Sequence, residues 1–441
     1  MRRATWVCGV ALLTGVLLGQ SESALADPPW TPPEALSGKV SDNPAPRVAA
    51  AGDGDATVVW RKDVVRGARI MASWRSDGGA WSAPMNLSGT GRNGWQRVVM
   101  NQRQAVVVWK SAGRLMVSRH RATSGWTPPR EVTESPITAM RSLDVAMDDR
   151  GHVSIAWSEW DPHVALSPGV QVVRQRADGR WSRPARVSGP PSTRRIDLSA
   201  RLAVDGRGDV TVVWARSRDT GCAVFAAGHP RGAGTWSTPD RLGSGCRHGP
   251  WVTSNARGDT AANWVTGTID GVDDRFVKTA IRPAGGDWEV TRLSSHVHND
   301  ADEIALDDAG NALVVWGHSD SEPGPPTPYA AQRPAGGSWG APFALSPPEV
   351  GACAADSRVA TNGDGTATVV WLRYPSCAGA DEVRGVQRTA AGEWGDIGSV
   401  SGAAVSLRRY IIDVAIDAAG NSVAIWTEIA HTGDRVMGSS R

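Results

Sequence analysis

The densest set of chemically capable side chains in the 441-residue sequence is His296-Val-His298-Asn-Asp300-Ala-Asp302. In an extended segment these alternating groups point to one side, and His318, Asp320 and Glu322 follow soon after. Imidazole with carboxylate is a ligand set for a transition metal. The same composition also describes a plain solvated loop, so no metal ligand is assigned. Hydrolysis of a glycoside requires two carboxyl groups, or a tyrosine nucleophile with its acid/base partner, across one site. Asp161, Asp320, Glu322, Asp381 and Glu382 with Tyr329 or Tyr374 are available, but nothing in their spacing pairs them uniquely. No Gly-x-Ser-x-Gly elbow, His-Glu-x-x-His or phosphate loop occurs. No catalytic residue is assigned and no cofactor is expected. The remaining candidates are aromatics, Trp95, Trp160, Trp251, Tyr329 and Tyr374, whose rings suit stacking on a sugar or packing against a protein partner.

Whatever positions these residues must be built from a repeat. Arg201-Leu-Ala-Val-Asp-Gly-Arg-Gly-Asp-Val-Thr-Val-Val-Trp214 is its clearest copy, and the pattern closes on Trp60, Trp109, Trp157, Trp214, Trp264, Trp316, Trp371 and Trp426, spaced 48 to 57 residues apart. That period marks propellers and other arrays. Glycine stands six positions before the tryptophan in seven copies, and Asp or Asn nine before it in six, which is turn chemistry for a tight hairpin. The copy ending at Trp109 is one residue short and lacks the glycine, so it must turn differently. A second tryptophan follows each of the first seven hairpins, with proline three residues later at Pro84, Pro129, Pro184, Pro239 and Pro342. Proline belongs at a sheet edge, so this strand is outermost.

The expected fold is all-β: an eight-bladed β-propeller of four-stranded antiparallel blades. Only seven internal outer strands follow the eight hairpins. The missing one stands ahead of the first, at Trp30-Thr-Pro-Pro-Glu-Ala-Leu-Ser37, and is expected to close the ring by completing the last blade. Residues 27–441 then form one domain. Residues 1–26 read as a secretory signal: Arg2 and Arg3, an apolar run, and Ala24-Leu-Ala26 before Asp27. Four cysteines remain beyond it, three pairings are possible, and the local one, Cys222–Cys246 with Cys353–Cys377, is expected in an exported protein.

In this fold the Asp-x-x-Gly turns share one face, while loops of variable length share the other. Residues 158–169, 265–275, 317–328 and 372–383 are long loops there, and 110–113 is minimal. Binding is expected on that variable face, through Trp95, Trp160, Trp251, Tyr329 and Tyr374. The residue opening each inner strand is Arg47, Arg97, Asp144, Arg201, Trp251, Glu303, Arg358 or Asp413. This set is read either as inter-blade ion pairs at the channel mouth or as an anion-binding arginine cluster. The net charge of +2, with no basic stripe, argues against nucleic acid.

The repeat resembles the Trp-rich propeller repeats of secreted bacterial proteins, and is distantly similar to sialidase-type propellers with Asp-box turns. Ser76-Asp77-Gly78-Gly79-Ala80-Trp81 approaches an Asp box but is one residue short, and Pro46-Arg47-Val48-Ala49 is similar to the segment that supplies a substrate-binding arginine in sialidases. Arg97, Arg201 and Arg358 open other blades in the same way, which makes Arg47 a repeat feature. The expectation is a secreted, monomeric, non-catalytic propeller that binds glycans or an extracellular protein surface without entering a membrane. The alternative implied by the resemblance is a sialidase-like carbohydrate-active enzyme.

Overall fold

The inner hairpins set the architecture. Where the sequence carries Asp or Asn and then Gly three residues on, the glycine adopts positive φ (88° at Gly151, 90° at Gly208, 100° at Gly258, 92° at Gly310), a conformation costly for other residues. The acidic or amide side chain then accepts backbone N–H groups across the turn, as Asp205 does from Arg207 and Asp209. The short second copy does turn differently. Asn101 pairs directly with Gln104, and its side-chain oxygen accepts from the N–H groups of Arg103 and Gln104.

The computed structural model describes residues 29–441 except 41–43, 138, 162–165, 177, 219–220, 247, 268–274, 295–298, 320–325, 348–352, 376–380, 403–404 and 431–432. Its strands form eight antiparallel sheets; six have four strands in consecutive order, the second carries a further short strand, and the eighth takes its outer strand from the other end of the chain. The first blade comprises Arg47–Ala50, Ala56–Val64, Gly67–Arg75 and Met85–Asn86; the second opens with Asn93–Asn101, Gln104–Ser111 and Arg114–Arg121. In the eighth, Leu407–Ile416, Ser422–Glu428 and Arg435–Ser440 are joined by Glu34–Ala35, with Glu34 opposite Gly438. The N–H of Val436 donates to the Ser37 hydroxyl at 2.9 Å. The prolines stand just ahead of the outer strands, which pair over only two to five residues.

Each of the eight hydrophobic cores lies between two blades, and each holds one tryptophan of either kind. Trp60 shares its core with Trp81, Trp109 with Trp126, Trp214 with Trp236, and Trp426 with Trp30. The eight closing indoles are all at most 2% exposed. Burying so large an apolar surface contributes about 2–3 kcal/mol per side chain. It also overrides the usual need of an indole N–H for a partner: those of Trp60, Trp109, Trp214, Trp316 and Trp426 meet no protein acceptor.

Cys222 and Cys246 form a disulfide with Cα atoms 5.7 Å apart, clipping the third strand of the fourth blade to the link that leaves it. Cys353 is also disulfide-bonded, while Cys377 lies outside the described residues, as does the segment 1–26 that reads as a secretory signal. No described helix is long and apolar enough to cross a membrane.

Two outcomes test this arrangement. Removing residues 27–38 should expose the edge of the eighth blade, so the shortened chain should melt well below the parent and aggregate; equal melting temperatures would show that Glu34–Ala35 is dispensable. Non-reducing peptide mapping should recover Cys353 linked to Cys377, closing a loop that contributes about 3 kcal/mol. A peptide joining Cys353 to Cys222 or Cys246 would overturn that pairing.

Candidate functional site

The ring of inner-strand residues is built by register. Arg47 pairs with Val59, Arg97 with Val108, Asp144 with Ala156, Arg201 with Val213, Trp251 with Asn263, Glu303 with Val315, Arg358 with Val370 and Asp413 with Ile425. Every partner immediately precedes a closing tryptophan, so the eight side chains sit at one level around the axis. The indole that fixes each blade also fixes the height of its ring residue.

Three ring residues are acids, and each accepts a backbone N–H from the following blade. Asp144 takes that of Leu202 at 3.0 Å, Glu303 that of Val359 at 3.0 Å, and Asp413 that of Val48 at 3.1 Å. In each case the N–H belongs to the residue after a ring arginine, namely Arg201, Arg358 and Arg47. The guanidiniums of Arg47, Arg97 and Arg358 also donate to the carbonyl just before them. Arg201 lies over the Trp251 ring at 4.5 Å and Arg358 at 5.4 Å, so two cations contact the one indole. Below this level the channel widens into a cavity of about 630 Å³.

Burial and like charge shift these groups. Burial holds the Arg97 guanidinium down to about 9, and the positive charges of Arg47 and Arg201 add to that. Burial pushes the Glu303 carboxyl up to about 7 against the pull of Arg358. The ring is therefore an electrostatically coupled set at the channel mouth.

A second cavity of about 1230 Å³ opens beside it on the variable-loop face of the first two blades. Its walls are low because both second-to-third-strand turns there have only two residues, Val64 pairing with Gly67 and Ser111 with Arg114. Arg47 and Arg97 form part of its lining, with Arg61, Asp63, Arg92, Trp95 and Lys110. Arg61 and Asp63 pair at 2.6 Å. Trp95 is 43% exposed and adopts φ 61°, a left-handed conformation rare for a bulky residue. Its neighbours are fixed: buried Gln96 donates to the carbonyls of Pro44 and Ala45 at 2.9 and 2.7 Å, and buried Asn93 donates to that of Ala68. The scaffold holds the backbone and turns the indole outward.

The other aromatics do not join it. Trp95 and Trp251 lie within first strands rather than in links, and Trp251 lines the channel instead of the groove. Trp160, half-buried in the third blade, carries the Arg141 guanidinium at 4.7 Å. Tyr329 packs on Trp316 and lies 4.4 Å from His318 in the sixth. Tyr374 is not exposed; it is 4% accessible in the core between the last two blades and donates to Asp356 at 2.8 Å. Of the five, Trp95 alone lines the groove. Asp381 and Glu382 face Arg373 and Arg384. His296, His298, Asp320 and Glu322 lie outside the described residues, and among the described residues no three His, Cys, Asp or Glu side chains form a metal cluster. Loop length points to the long loops and not to this groove, whose one legible signal in the sequence is the minimal turn at 110–113.

The Glu303 shift has a measurable consequence. With its carboxyl value raised from 4.5 to about 7, the folded chain gains stability below pH 4.5 and loses it as pH rises through 7. Glu303→Gln should therefore be more stable than the parent at pH 8 by up to about 2 kcal/mol and no more stable at pH 4. Denaturant melts at the two pH values decide it, and a variant destabilised equally at both would show that the carboxylate is not the strained partner.

No protein-family model and no curated protein matches the chain. Solved structures do resemble it. A polysaccharide lyase of family 25, an ulvan lyase bound to a GlcA(1-4)Rha3S saccharide, is 10% identical with TM-score 0.46, over 77% of this chain and 90% of that one. The polysaccharide lyase Uly1 is 9% identical with TM-score 0.47, over 88% and 87%. A protein of unknown function from Dyadobacter fermentans is 12% identical with TM-score 0.43, over 93% and 98%.

Proposed function

We propose that this chain is a non-catalytic binding propeller, exported from its cell, that takes a glycan in the groove beside Trp95. The observation that carries this reading is the exposed indole itself. A bulky ring in a left-handed backbone costs about 1–3 kcal/mol, yet it is presented to an open cavity between two pinned neighbours. An aromatic plane flanked by hydrogen-bonding and charged groups is the chemistry of sugar recognition, with apolar ring faces stacked and hydroxyls met at the rim. The groove's lining supports binding over hydrolysis. Asp63 is the sole carboxylate among its described residues and already faces Arg61, so among the described residues no second carboxyl stands across from it.

A glycan array probed with the purified chain, beside a panel of chromogenic glycosides, tests this. Capture without turnover is the expected result, and turnover would replace the reading with an enzyme. Trp95→Ala should weaken capture about tenfold or more while moving the melting temperature little, because the ring is exposed. Trp251→Ala, which removes the ring that both Arg201 and Arg358 contact, should lower the melting temperature instead. If Trp95→Ala destabilises the chain and leaves capture intact, the groove is not the site.

A further inference from the structure

Apart from the uncharged Trp251, the charge order around the ring has one break, where two like charges are neighbours. Reading from the third blade, Asp144 is followed by Arg201, Glu303 by Arg358 and Asp413 by Arg47, and each acid is engaged with the blade that carries its arginine. The next residue after Arg47 is not an acid but Arg97. Arg97 has Asp144 only on its far side, with Nε 4.0 Å from the carboxylate and so beyond hydrogen-bond reach. Burial lowers the Arg97 guanidinium's affinity for a proton and the charge of Arg47 lowers it further, and no described carboxylate of the ring lies between the two. This break coincides with the place where the groove meets the ring, since Arg47 and Arg97 both line the groove.

The backbone shows that the arginines are placed deliberately. The residue two before each of the four ring arginines is left-handed: Ala45 at φ 41°, Trp95 at 61°, Ser199 at 52° and Asp356 at 60°. Of the five described non-glycine residues with positive φ, four occupy this one position. In the second, fourth and seventh blades a register shift accompanies it, and such bulges re-aim the side chains that follow. The same distortion that aims Arg97 into the ring turns Trp95 outward, so cation and aromatic plane are set by one feature.

We infer that the groove takes an acidic saccharide, its carboxylate or sulfate seated between Arg47 and Arg97 and its sugar ring over Trp95. The inference rests on the glycan-binding reading and adds the charge of the ligand. An oxyanion there relieves the repulsion of the like-charged pair and accepts two forked donors, while Lys110 and Arg92 add long-range attraction at the rim.

Two experiments separate the inference from the reading beneath it. On an array that pairs each uronate with its methyl ester and each sulfated glycan with its desulfated form, the acidic members should be held about tenfold or more tightly. Arg97→Gln should erase that ratio, and Trp95→Ala should weaken charged and neutral members alike. Capture that ignores charge would overturn the inference and leave the glycan reading standing; no capture at all would remove both. In the unaltered chain, inorganic sulfate should protect Arg47 and Arg97 from a dicarbonyl reagent, read by peptide mass, while the exposed rim residue Arg92 stays reactive. Unprotected Arg47 and Arg97 in saturating sulfate would overturn the anion seat by themselves.

Discussion

The structure depends on burying a pair of indoles at every blade interface. A four-stranded sheet of short strands cannot bury its faces alone, and the outer strands, two to five residues long, contribute little pairing. What holds neighbours together is the closing tryptophan of one blade packed with the outer tryptophan of the same blade against the blade before it. Because the contact repeats eight times, the ring closes only if the last interface is made like the others. Trp30 supplies the outer indole there, packed beside Gly385 and Gly398, where a Cβ would come within 3.3 Å of its ring. A chain segment near the start of the sequence thus completes a core formed near its end.

Such uniform packing separates the demands of folding from those of recognition. The closing tryptophan and the β-branched residues before it are dictated by the interface and leave no choice. The residue paired across from the position before it faces the channel and is dictated only by height. Eight positions at equal height, free in identity, are where a propeller can carry a pattern, and this one carries four arginines, three acids and a tryptophan. The acids satisfy strand N–H groups at the channel wall, which is a structural task, so the alternation of charge is mostly accounted for by the scaffold. Of the two readings of the ring, inter-blade ion pairing is represented among the described residues by Arg97 with Asp144 at 4.0 Å, while the acids otherwise bond to backbone N–H groups of the next blade; the anion-binding reading is what we propose for Arg47 and Arg97.

The sequence carried the architecture because every blade needs the same residues. Tryptophan spacing, the Asp-x-x-Gly turn, the edge prolines and the displaced strand at 30–37 are all consequences of packing that recur often enough to be read. The groove was hidden for the opposite reason, since it results from a local shortage of chain. Two-residue turns at Val65–Arg66 and Ala112–Gly113 leave a space that no motif announces, and the backbone twist at Trp95 has no sequence signature beyond a bulky residue two before an arginine. Tyr374 misled because a lone tyrosine next to a long loop looks exposed; its hydroxyl has a buried partner in Asp356, itself left-handed at the equivalent bulge. Nor did the sequence show that most closing indole N–H groups go without a protein acceptor, because the gain from burial is invisible in residue type alone.

Placing a site between the shortest turns, rather than among the longest loops, has a physical logic. A long loop gains contact area but must be ordered when it binds, at roughly 1–2 kcal/mol for each residue fixed. The groove avoids that cost, because its backbone belongs to strands and to links tied down by Gln96 and Asn93. Its strain is likewise held by the scaffold: the left-handed Trp95 is flanked by residues whose side chains are buried and hydrogen-bonded, so the cost is met when the blade folds and not when a ligand arrives. The like-charged arginines follow the same rule. Repulsion between them is tolerated because three acids elsewhere in the ring and the inter-blade cores hold both strands in place. Preorganisation of this kind raises affinity without adding contacts, which is what the proposed site gains from a backbone made of strands and two-residue turns.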